Sequence, residues 1–174
     1  GIVRAAYKTF TKNEVAQSGS TITQQLVKNS FLSPEKTFSR KIREIILAIA
    51  LEKKYSKDEI LEMYLNQIPY GSNAYGAEAA SQLFFNVKAQ GLTIAQAATL
   101  AALPKAPSYY SPYGNHIEEL LGRKDYILGR MEALQMISAT EKEQALAEKI
   151  SFSEINQQIK APHFVMYVRD YLNE

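Results

Sequence analysis

The chain has 174 residues, 46% apolar and 22% charged, which suits one globular domain with an adequate core. Its net charge of +2 argues against nucleic acid or another polyanion as a general partner, so any basic site must be local. With no cysteine there is no disulfide framework, thiolate metal site or cysteine nucleophile, and no apolar run approaches the roughly 18 residues of a membrane span.

Taken in order, the pattern predicts helix after helix. No signal peptide is visible. Gly1 to Tyr7 reads as helical and uncapped, as if cut from something longer, with a first short helix over about Ile2 to Thr9. Lys12 to Ser18 is polar and reads as loop. Thr21 and Thr23 can cap a helix running to about Phe31. Ser33-Pro34-Glu35 offers an N-cap, an N1 proline and an early acid for a long helix to about Lys54. Ser56-Lys57-Asp58-Glu59 is a capping box that opens a helix ending near Asn66. Pro69 to Asn73 is a turn, and Tyr75 to Phe85 an alanine-rich helix. Thr93-Ile94-Ala95-Gln96 is a second capping box, for a helix to about Leu103. Pro104, Pro107 and Pro112 force an irregular, tyrosine-rich segment. His116 to Met136 is amphipathic helix, and Ser138-Ala139-Thr140-Glu141 caps another to about Lys149. Residues 159–174 are less regular and read as a connector. Without period-2 strands or an internal repeat, the fold class is all-α.

The long helix carries the oddity. At about 100° per residue, Phe38, Ile42, Ile45, Ile46 and Ile49 share one face. Arg40 and Glu44 lie opposite, in line with Leu47, Ala48 and Leu51. A helix apolar nearly all round is expected to be buried, which takes the Arg40–Glu44 face out of bulk water. Glu44 follows Lys41 by three residues and Arg40 by four, so all three can meet. They could staple a solvated helix end, or they could line a cleft for an anionic substrate, with a carboxylate held among cations.

Other chemistry is thinner. Ser33-Pro34-Glu35-Lys36 matches the Ser-x-x-Lys pattern of acyl-enzymes, but a helix start explains it and no Lys-Thr-Gly follows. His116 and His163 lie far apart, in surface or capping contexts. Ser108-Tyr109-Tyr110-Ser111 could be a ligand rim or loop packing. Gly19-Ser20-Thr21 before a helix can form an anion nest, with Gln24, Gln25 and Lys28 following on that helix. Together the nest, the three cations Lys28, Arg40 and Lys41, and Glu44 suggest phosphate or pyrophosphate handling.

These stretches resemble a known family. Gly19-Ser20-Thr21-Ile22-Thr23-Gln24-Gln25-Leu26-x-Lys28-Asn29 is similar to the second signature of the peptidoglycan glycosyltransferase domain of class A penicillin-binding proteins. Arg40-Lys41-x-x-Glu44, with Ala48, Leu51-Glu52, Ser56-Lys57, Ile60-Leu61-Glu62 and Tyr64-Leu65-Asn66, resembles the third. Tyr75 to Ala80, and Leu92 to Ala95 through Leu100 to Pro104, resemble the fourth and fifth. Lys160-Ala161-Pro162-His163-Phe164-Val165 looks like the exit toward the penicillin-binding transpeptidase domain.

The resemblance implies a lysozyme-like, two-lobed, all-α domain over residues 1–158, followed by the connector. It implies processive transfer on lipid II: the acceptor 4-hydroxyl attacks donor C1, configuration inverts, and undecaprenyl pyrophosphate leaves. Glu44 then matches an essential glutamate beside the donor pyrophosphate. Lys28, Arg40 and Lys41 match phosphate-binding cations, and Ser20 and Gln25 match cleft contacts. A divalent cation such as Mg²⁺ would add to them. Lipid II, the growing glycan strand, a moenomycin-type inhibitor, the membrane outer leaflet and a transpeptidase domain in the parent chain are the implied partners. The implied location is the outer, periplasmic face of a bacterial cytoplasmic membrane, with an anchoring helix absent from this chain. A lipid-linked substrate further implies an exposed apolar patch, expected after Phe31 and around Phe84 and Phe85.

The departures count too. The first signature, with the general-base glutamate, would precede Gly1, so the fragment alone is expected to be inactive. Gln96 stands where glutamate is common and Phe85-Asn86 where Phe-Gly-Lys is common, and both are expected to be structural. Glu52, two turns beyond Glu44, has no matched catalytic role. A lysozyme-like glycan-cleaving enzyme, or a non-catalytic lipid-phosphate or scaffold-binding module, remains the alternative reading.

Overall fold

The structure is a computed structural model that describes residues 20–31 and 37–154. Seven α-helices stand among the described residues: α1 Ile22–Phe31, α2 Phe38–Lys54, α3 Lys57–Gln67, α4 Ala77–Phe85, α5 Ile94–Ala102, α6 Ile117–Ala133 and α7 Ala139–Ala147. The all-α reading holds, with one addition. The turn after α3 is a small antiparallel ribbon, β1 Pro69–Gly71 against β2 Ala74–Tyr75. The helices fall into two groups. In one, α1 packs on both α2 and α3; in the other, α5, α6 and α7 pack together; α4 touches both groups.

Local capping explains most boundaries. Ser56, Thr93 and Ser138 each accept a hydrogen bond from the N3 backbone N–H, while Glu59, Gln96 and Glu141 reach back to the cap residue's own N–H. Gln96 is thus structural, its amide oxygen accepting from the Thr93 N–H at 3.0 Å. Asn86 is structural as well: it ends α4 in the left-handed region at φ 56°, which asparagine tolerates better than most side chains. Two helix starts differ from expectation, and one is that of α4, where Tyr75 stands in β2 and the helix begins at Ala77 after the Gly76 N-cap. Helix α2 begins at Phe38, with Thr37 as its N-cap accepting from the Arg40 N–H. The expected start at Ser33-Pro34 lies outside the described residues, as do the first helix, the loop from Lys12 and the connector.

The main core gathers Phe84, Ile68, Tyr70, Leu103 and Leu120, with alanines of α4 and α5 among them. Ala95 and Ala98 meet Leu128 and Ala145 in a second cluster, where small side chains let α5 come close to α6 and α7. Phe84 is fully buried and Phe85 nearly so, and they do not belong to an exposed patch. Gly71 brings the ribbon against the proline-rich loop: at φ 97° its missing Cβ would stand 2.9 Å from the Pro107 carbonyl oxygen.

Helix α2 inverts the expected burial. Only Glu44 and Ala48 of its 17 residues are buried. Phe38, Ile42, Ile46, Leu47 and Ile49 are all exposed, Phe38 by 69% and Ile46 by 59%. Amphipathicity locates two faces and does not say which one the protein covers. Here α1 covers the polar one.

Candidate functional site

The site begins with two helix starts. At α1, Thr21 is the cap: its hydroxyl accepts from the Gln24 N–H at 3.2 Å, and the Gln24 amide oxygen accepts from the Thr21 N–H at 3.1 Å. Thr23, the other candidate cap, lies inside the helix and is buried. This cap leaves Ser20 just ahead of α1, facing α2. At α2, the Thr37 cap sets Lys41 and Glu44 one turn apart on the covered side.

Ser20, Lys41 and Glu44 come together. The Lys41 ammonium donates to Glu44 Oε1 and, at 3.0 Å, to Ser20 Oγ. The Ser20 hydroxyl donates its own proton toward the same Glu44 oxygen at 3.4 Å. Glu44 is 1% exposed. A carboxylate so deeply buried is tolerable only with charge and hydrogen-bond compensation, which Lys41 and Ser20 supply. Arg40 does not share this pairing: no ion pair joins it to Glu44 among the described residues. Its Nε is buried and finds no hydrogen-bond partner among the described residues.

A second group adjoins the first through Gln25. The Gln25 amide nitrogen donates to the Ser20 carbonyl at 3.3 Å, and its amide oxygen accepts from the Tyr64 hydroxyl at 3.3 Å. Burial raises the Tyr64 phenol above its ordinary range. Gln25 and Tyr64 line a cavity of about 250 Å³ together with Lys28, Asn29, Pro104 and Lys105. Lys28 is therefore one wall away from the Ser20 cluster and makes no ion pair with it. Lys105 was not anticipated. It is brought to the cavity that Lys28 lines by the short 3₁₀ turn Leu103–Lys105. The one cue in the sequence is a lone cation bracketed by Pro104 and Pro107.

The remaining candidates separate from this site. His116 caps α6, stacks on Tyr109 with ring centroids 3.9 Å apart, and lies 3.3 Å from a Glu119 oxygen. Tyr110 meets Tyr109 edge-on and has the Arg123 guanidinium over its ring, so the tyrosine segment is loop packing. His163, Ser33, Lys36 and Gly19 lie outside the described residues. Among the described residues no three His, Asp or Glu side chains stand together as a metal cluster, and no helix is long and apolar enough to cross a membrane. Where the end of α1 meets α2, Phe31, Leu47, Ala50, Leu51, Lys54 and Tyr55 line an apolar hollow of about 310 Å³.

Comparison with known proteins adds the family. The transglycosylase family model matches residues 1–132. Penicillin-binding protein 1F of Bacillus subtilis (strain 168) is 46% identical over 165 residues, 95% of this chain and 23% of that protein. Penicillin-binding protein 1A of Aquifex aeolicus (strain VF5) is 43% identical over 171 residues, 98% of this chain and 23% of that protein. The 2.6 Å crystal structure of penicillin-binding protein 1A from Haemophilus influenzae matches with TM-score 0.57 and 27% identity, over 91% of this chain and 20% of that one. The chain thus spans less than a quarter of the length of these relatives.

Proposed function

The chain belongs to the transglycosylase family, and from that premise we propose that it is the peptidoglycan glycosyltransferase domain of a bacterial class A penicillin-binding protein, which polymerises lipid II. The observation that carries this reading is the buried Lys41–Glu44 pair with Ser20 upon it, flanked by Arg40 and by the cavity that Lys28 and Lys105 share.

The chemistry follows from charge. The acceptor 4-hydroxyl forms a bond to donor C1 and gives its proton to the general-base glutamate that the resemblance assigns to the family's first signature, while the bond from C1 to the pyrophosphate oxygen breaks with its electron pair. Negative charge grows on the departing undecaprenyl pyrophosphate, so fixed cations lower the barrier by binding the transition state better than the ground state. Lys41 and Arg40 take that role beside Glu44. The buried Arg40 Nε without a partner suits a phosphate oxygen. Lys28 and Lys105 supply two more cations, and Gln25, held between Ser20 and Tyr64, a fixed amide. Glu44 keeps the Lys41 ammonium aimed at the reaction centre, and Ser20 fixes both. With a single carboxylate here, Mg²⁺ would be held mainly by the substrate's own phosphates with Glu44 as protein ligand, and would supply further charge neutralisation.

The exposed apolar side of α2 supports contact with the lipid side of the substrate. Phe38, Ile42 and Ile46 of α2, with the exposed Phe31 at the end of α1, would meet the outer leaflet of the cytoplasmic membrane, where a lipid-linked substrate resides. A transpeptidase domain elsewhere in the parent chain belongs to the same proposal.

Binding of a moenomycin-type phosphoglycolipid to the full-length protein tests the cation assignment. Arg40→Ala, Lys28→Ala and Lys105→Ala should each weaken it roughly tenfold or more, the loss of one charged hydrogen bond. Unchanged affinity in all three would overturn the assignment.

A further inference from the structure

Helix α2 is held by very little. Two of its 17 residues are buried, and much of its apolar surface faces away from the other described residues. Beside the buried Ala48, two polar links join it to α1 among the described residues. One is the Ser20–Lys41–Glu44 group. The other lies farther along: the Thr23 hydroxyl donates to Glu52 Oε1 at 2.7 Å. Thr23 is 6% exposed, and a buried hydroxyl left without an acceptor would be costly. Glu52 is an exposed residue that turns its carboxylate inward to meet it. Glu44, Ala48 and Glu52 are spaced by four and lie along one side of α2, so the two links act on the same stripe. Ser20 and Thr23 are likewise three residues apart at the start of α1.

We propose that the Thr23–Glu52 hydrogen bond is a strut that sets how α1 sits on α2, and so positions Ser20 against the Lys41–Glu44 pair. Both are positioning residues: they act through the site and do not touch the substrate. The inference rests on the reading of Glu44 as part of the catalytic site. A charge-assisted hydroxyl–carboxylate bond is short and directional, which suits it to fixing a register that two buried side chains cannot. A small displacement at a reaction centre lowers turnover far more than it lowers stability.

Four variants of the full-length protein test it, assayed for lipid II polymerisation well below the thermal midpoint, with kcat and KM measured separately. Thr23→Val keeps shape and removes the donor; Glu52→Leu removes the acceptor. Each should lower kcat by about tenfold, and the double variant should be no worse than either alone, as expected for one shared interaction. Thr23→Ser keeps the hydroxyl and Glu52→Gln keeps an accepting oxygen, so both should stay within about twofold of wild type. A purely structural link would shift the thermal midpoint of the first pair and leave kcat alone, which would overturn the strut. Equal losses in all four would also overturn it, since the hydrogen bond would not be the cause. Glu44→Gln is run alongside: if it abolishes turnover while Thr23→Val does not, the strut alone fails, and if it leaves turnover intact, the reading of the site fails with it.

Discussion

Lys41 and Glu44 form a lopsided ion pair, with the carboxylate 1% exposed and the lysine side chain 25% exposed. Such a pair is not a surface staple. Substituting Lys41 leaves a buried carboxylate without its cation, which Glu44→Gln avoids by removing the charge and keeping the shape. Lys41→Met should destabilise the domain by about 3 kcal/mol, the low end for a broken buried pair because the lysine is partly solvated. Glu44→Gln should cost less. Chemical denaturation of both variants checks the order; a loss under about 1 kcal/mol for Lys41→Met would place the pair among surface pairs.

The exposed apolar side of α2 makes a separate forecast. Serine at Phe31, Phe38, Ile42 and Ile46 together should reduce co-sedimentation with anionic liposomes at least tenfold, since each side chain is worth about 1.5–3 kcal/mol when fully buried. The thermal midpoint should barely move, because these side chains are exposed already. Phe84→Ser should do the reverse, costing about 3–5 kcal/mol of stability, since Phe84 is fully buried in the core. Liposome binding indifferent to the four serines would remove this face from the membrane proposal.

Alkaline pH offers another test. Burial, with a smaller contribution from Tyr64, pushes the Tyr70 phenol up to about 12 from its ordinary 10.0. An unfolded chain gives up that proton near pH 10, while the folded chain holds it to about pH 12. The folded state therefore binds more protons in between. The stability linked to Tyr70 is fully present below pH 10 and is lost as pH rises through about 12. Tyr70→Phe should flatten the fall of the thermal midpoint across that window, and an unaltered slope would count against the burial account.

Much of this was legible in the chain because it is local. The boxes at Ser56/Glu59, Thr93/Gln96 and Ser138/Glu141 span four residues each, and Lys41 and Glu44 sit one turn apart. What escaped depends on distant partners. That apolar residues go inside is a one-way rule, and α2 breaks it because the rest of the protein covers its polar side. Lys105 comes to share a cavity with Lys28 only through the fold of the proline-rich loop, and Glu52 acquires a partner only because α1 carries a buried threonine opposite it. Arg40, on the same helical turn as Lys41 and at ideal spacing from Glu44, still does not pair with it. Spacing permits a contact, and the rotamer and the neighbouring helix decide it.

The most direct test is the rate of lipid II polymerisation by full-length Glu44→Gln, measured beside its thermal midpoint. If Glu44 and its cations form the donor pyrophosphate site, the rate should fall by roughly 10²–10³ or more while the domain stays folded. A near-normal rate from a folded Glu44→Gln protein would contradict that assignment and leave the buried pair a structural one.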